Sequence, residues 1–128
     1  MKPLYYLLLL LFVCSCSTGP TREELASLAA RGYYTHLIKG EYEHFLAGKV
    51  GADSLPEDYR QQLLARYKQF MAGQEAEHQG IREVQVANAV ADTLSADTYV
   101  FLVFCYGDST REEVVVPMVE GDKGWRMR

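Results

Sequence analysis

The chain has 128 residues, 48% of them hydrophobic and 23% charged, with a formal net charge of −4. That balance excludes collagen-like, low-complexity and wholly disordered chains, and the length fits a single domain. The acidic excess argues against nucleic acid as a partner, because a phosphate-binding surface clusters Lys and Arg.

Met1-Lys2-Pro3 places one basic side chain beside the amino terminus, and an unbroken apolar run follows from Leu4 through Val13. Cys14-Ser15-Cys16-Ser17 closes it. A positive head, about ten apolar residues and a small-residue exit predict a secretory signal peptide over residues 1–15. The run falls short of the ~20 apolar residues of a spanning helix; an uncleaved anchor stretched to Pro20 stays open. Val13-Cys14-Ser15-Cys16 resembles the lipobox of bacterial lipoproteins, with Cys14 standing where a smaller residue is usual. The resemblance implies a diacylglyceryl group on Cys16, a linker over residues 16–21 and a folded domain over residues 22–128. Several acyl chains on one cysteine hold a protein on a bilayer where one chain is marginal. The implied address is the cell envelope, lipid-anchored to the outer membrane and facing the periplasm, since Ser17-Thr18-Gly19 holds no acidic run. With Lys2 removed, 12 basic residues face 17 acidic ones, so attachment would not rest on a polybasic patch. Cys105 would be the one thiol left. It allows neither an internal disulfide nor a metal site built on cysteine pairs.

Thr21-Arg22-Glu23-Glu24 reads as a capping box, Thr21 being the N-cap. Leu25, Leu28, Ala29, Gly32, Tyr33, His36 and Leu37 then recur at helical spacing up to a stop at Gly40. Glu41 to Leu46 predicts a short second helix. Ser54-Leu55-Pro56-Glu57 reads as another capping box with Pro at the first helical position. The helix that follows carries Tyr59, Leu63, Tyr67, Phe70 and Met71 on one face and runs to about Gly73, with fraying to His78.

Beyond Gly80 the period becomes two. Val84, Val86, Asn88 and Val90 share one face of a first strand. Tyr99 to Tyr106, Arg111 to Val119 and Trp125 to Arg128 predict three more strands, joined by Gly- and Asp-rich turns. Helices followed by an antiparallel meander predict an α+β fold, with two or three helices on a curved sheet of about four strands. Neither Tyr99 to Tyr106 nor Val114 to Val119 alternates as a half-wet strand should. Both sheet faces are therefore expected to be covered, one by the helices and the other by a second copy packed through Phe101, Val103 and Val115, with a partner protein or a flanking segment as alternatives.

This arrangement resembles the nuclear transport factor 2-like fold, a cone-shaped group that includes ketosteroid isomerase, polyketide-cyclase-like proteins and lumazine-binding-like domains of secreted bacterial proteins. The likeness rests on Tyr33 to Phe45 (YYTHLIKGEYEHF), Tyr59 to Phe70 (YRQQLLARYKQF) and the closing turn before Trp125. Such a fold hosts enzymes, carriers and scaffolds alike.

Enzymes of the group imply a buried carboxylate or a His–Asp pair inside the cone. The first two strands offer no inward acid, and Asp92 and Asp97 stand at strand ends. No catalytic residue is assigned and no cofactor or metal is expected; His36, His44 and His78 lack the spacing of a closed metal site. Rings with one hydrogen-bonding end suit a pocket for a small planar molecule. Tyr33, His36, Tyr59, Tyr67, Asn88, Tyr106 and Trp125 are the candidate lining. The expected role is a membrane-anchored, non-catalytic binding or interaction module; an isomerase- or cyclase-like enzyme and an envelope scaffold stand as alternatives.

Overall fold

A computed structural model describes residues 19–128, so the signal segment, Cys14 and Cys16 lie outside the described residues. Helix α1 (Arg22–Ile38) starts where the capping box places it, the Thr21 hydroxyl accepting from the Glu24 amide at 3.2 Å. Its buried stripe is Ala26, Ala30 and Leu37, flanked by half-buried Tyr33 and Tyr34. Leu25 and Leu28 point outward, contrary to the expected phase. Two alanines let the helix axis approach the sheet, and the bulkier leucines fall on the open side.

Helix α2 (Tyr42–Ala47) buries Phe45 and Leu46. A 3-10 turn at Ala52–Ser54 follows, opened by Gly51 at φ 76°. Helix α3 (Glu57–His78) has Pro56 at its N-cap and no side-chain cap. The expected capping box does not form. Leu55 precedes a proline and is extended at ψ 136°, as the proline ring requires, so Ser54 cannot reach the first turn. Gly73 does not stop α3 either, because an interior glycine costs only about 1 kcal/mol. The stop comes at Gln79 and Gly80, both at positive φ, where the Gly80 amide donates to Gln74 O at 3.0 Å. The Gln79 amide donates to Glu75 O at 3.1 Å, so two of the last carbonyls of α3 are satisfied by this left-handed end.

Strands β1 (Ile81–Ala91), β2 (Asp97–Tyr106), β3 (Arg111–Gly121) and β4 (Gly124–Met127) form one antiparallel sheet in the order β1-β2-β3-β4. Three helices therefore pack on a four-stranded sheet, the α+β class expected. Lys49 adds a parallel bridge to Met127 beyond β4. In β2, Thr98, Val100, Leu102, Phe104 and Tyr106 are buried under the helices. Their neighbours Tyr99, Phe101, Val103 and Cys105 face away and are half-buried. Pro117 sits opposite Tyr99, and its carbonyl accepts from Arg128 past the end of β4. Its missing donor thus falls where no neighbouring strand needs one.

The register of β1 breaks between Val86 and Asn88. A bulge there resets the alternation. Val84 and Val86 pair with inward Phe104 and Leu102, whereas Asn88 and Val90 pair with outward Phe101 and Tyr99. The single face expected for Val84, Val86, Asn88 and Val90 is split in two.

Candidate functional site

A column of rings runs through the helix–sheet core. Phe104 lies 5.6 Å from Tyr34, Tyr34 5.1 Å from Phe45, and Phe45 4.9 Å from Tyr67, the last pair edge-on. Edge-to-face contacts of this kind contribute about 0.5–1.5 kcal/mol each beyond burial. Burial pushes the Tyr34 hydroxyl above its usual pKa. Tyr67 is raised too, first by burial and then by its neighbours Tyr34 and Tyr59. The Tyr67 hydroxyl and Gln74 Oε1 are buried and find no hydrogen-bond partner among the described residues.

At the other end of α3 a polar cluster ties the helix to the β2–β3 turn. His78 stacks on Tyr106 with centroids 4.1 Å apart and planes 16° from parallel. His78 Nδ1 stands 3.1 Å from Asp108 Oδ2, while Asp108 Oδ1 accepts from the Thr110 amide at 3.0 Å and from its hydroxyl. Those Thr110 bonds, helped by His78, hold the Asp108 carboxyl down at about 2. Tyr106 donates to Glu112; burial first, then that carboxylate, pushes the phenol up to about 12. An ionised Asp108 fixes the proton of a neutral His78 on Nδ1, which leaves Nε2 with its lone pair.

A third group closes the β4 side. The Tyr33 hydroxyl donates to Trp125 O at 2.6 Å and accepts from Arg126 Nη1 at 2.9 Å. The Tyr33 ring lies directly over Gly48, where any side chain would overlap it. His36 sits elsewhere, at the α1–α2 corner, stacked on His44 at 5.0 Å with Nδ1 3.2 Å from Glu41 Oε1. Asp97 is paired with Arg128 Nε at 2.6 Å.

The seven candidate residues do not converge. Tyr33 and Trp125 meet at β4, Tyr67 ends the ring column, and Tyr106 belongs to the His78 cluster. His36 is at a helix corner, and Tyr59 stands exposed on α3. Asn88 is exposed and lines, with Val86, Ala89, Ser27, Leu28 and Arg31, a groove of about 460 Å³ between α1 and β1. A second cleft of about 370 Å³ lies beside Lys49, Gly51 and Glu120. Burial lowers the pKa of the Lys49 ammonium. Sequence reasoning missed Tyr34, Gln74 and the His78–Asp108 pair. The spacing 67, 71, 74, 78 marks Gln74 and His78 as one helical stripe with Tyr67, and that signal was there to find. Among the described residues no group of three or more His, Cys, Asp and Glu could hold a metal ion, and no helix is long and apolar enough to cross a membrane.

Neither a protein-family description nor a curated protein matches this chain. Among solved structures, it is similar to a protein from Campylobacter jejuni described provisionally as an NTF2-like transpeptidase. The two share 11% identity at a TM-score of 0.56, over 77% of this chain and 92% of the other. At that identity the likeness establishes the fold, which is NTF2-like, and nothing of the chemistry.

Proposed function

We propose that the chain is a bacterial lipoprotein, acylated on Cys16 and held on the periplasmic side of the outer membrane, whose NTF2-like domain binds a small planar molecule without transforming it. The anchor is supported by the apolar run Leu4 to Val13 and the Val13-Cys14-Ser15-Cys16 pattern. From Cys16 to Arg22 the chain reaches at most about 20 Å, so the domain would ride close to the bilayer. The binding role rests on one observation above the others: the buried Tyr67 hydroxyl without a partner at the end of an aromatic column. A buried polar atom of this kind is rare in native proteins and marks a place where a second polar molecule is wanted.

A second reading has its own support. His78 and Asp108 form a pair with the orientation of a general base and its orienting acid, and the fold neighbour is described as a transpeptidase. Against it, the two hydroxyls described in the cluster are spent elsewhere, that of Thr110 on Asp108 and that of Tyr106 on Glu112, and neither is presented to His78. An acyl-transfer site needs a nucleophile within reach of its base. We therefore place binding first.

Two measurements separate these roles. Cys16→Ala should abolish fatty-acid labelling and move the chain from the membrane to the soluble fraction; an unchanged distribution would remove the anchor. Solvent extraction of protein purified without denaturant should release a small aromatic compound from the wild type and at least tenfold less from Tyr67→Phe. An empty wild-type extract, together with loss of a measurable turnover in His78→Ala, would favour the enzyme.

A further inference from the structure

None of the 22 residues of α3 is buried, whereas α1 and α2 each bury part of one face. Its contact stripe, Leu63, Leu64, Tyr67, Met71, Gln74 and His78, is half-buried throughout. Helices in folded proteins are held by the packed face rather than by propensity, so α3 is held weakly for its length. Its two ends also differ. At the C-terminal end the Asp108 amide donates to His78 O at 3.0 Å, the Gly107 amide to Gly80 O at 2.9 Å, and His78 Nδ1 meets Asp108. At the N-terminal end there is no side-chain cap, and Arg60 only approaches Glu43, at 4.0 Å. Between the ends lie the two buried, unpartnered atoms, Tyr67 Oη and Gln74 Oε1, both on the contact stripe.

We propose that α3 is a lid that lifts and unwinds from its uncapped N-terminal end up to its clasped C-terminal end, and that Tyr67 and Gln74 set how often it opens. Each buries a polar atom that water satisfies only when the helix lifts, so each raises the closed state relative to the open one. Lifting α3 takes Tyr67 off Phe45 and uncovers that end of the ring column. The lid requires no bound molecule, so it stands or falls apart from the binding role proposed above.

Amide hydrogen exchange on the intact chain, refolded from denaturant to remove small molecules, tests it. Amides of residues 61–72 should exchange at least about tenfold faster than those of residues 26–37 in α1, through local rather than global opening. The double variant Tyr67→Phe, Gln74→Met should slow α3 by about fivefold or more and leave α1 unchanged. Should the double variant not fold, Gln74→Met alone should slow α3 in the same direction. Protection of α3 equal to that of α1 would overturn the proposal, as would apolar variants whose α3 exchanges as fast as the wild type or faster.

Discussion

Gly107 has no room to become anything else: a β-carbon there would run into the backbone carbonyl of Gln79. The close approach is what lets the Gly107 amide reach Gly80 O and the Asp108 amide reach His78 O. Gly107→Ala should therefore lower unfolding stability by about 2 kcal/mol, within the range for backbone-strain substitutions. Gly73→Ala, in an open helical position, should raise it by up to about 1 kcal/mol. Urea midpoints of the two variants check the pair. Asp108 adds a pH signature. Its carboxyl is depressed from 3.8 to about 2, so the stability it supplies is full above pH 4 and is lost as pH falls toward 2. Asp108→Asn should flatten the acid limb of a stability–pH curve in that window; an unaltered limb would remove Asp108 from the clasp. None of this was legible beforehand, since His78 and Asp108 are thirty residues apart and only the Gln79–Gly80 turn brings them together.

Element order, by contrast, was legible, because periods of 3.6 and 2 are written in the chain and its Gly and Asp turns separate them. What escaped were phases and ends. In α1 the leucine stripe looked like the core face, yet Ala26 and Ala30 take it because close packing on a sheet rewards small residues. In α3 the pattern S/T-x-x-E was present, but a pre-proline residue overrode it. In β1 a bulge breaks the alternation so that Asn88 pairs with Phe101 at the exposed rim of the sheet, and no residue type announces a bulge. The ring candidates rest on residue type, a flat apolar body with one hydrogen-bonding end, and residue type carries no information on which rings share a cavity. The seven candidates fall at six places, because tertiary packing and not residue type decides which rings meet.

At the scale of the molecule, the helices cover one sheet face and leave Val90, Tyr99, Phe101, Val103, Val115 and Val119 on the other, with Val115 51% exposed. We propose that a second copy covers it, as the unalternating strands suggest. A stable pairing needs about 800 Å² from each partner, and a charge at the centre would disrupt it. Phe101→Asp should convert a dimer to monomers in sedimentation velocity with the fold retained; a profile identical to the wild type would leave the face without a partner copy. Native mass spectrometry of the chain extracted from bacterial membranes tests the anchored binding domain most directly. We expect a polypeptide beginning at Cys16, heavier by its acyl groups, carrying one non-covalent small molecule that leaves on collisional activation. A bare polypeptide that still begins at Met1 and carries no adduct would contradict both the anchor and the binding role.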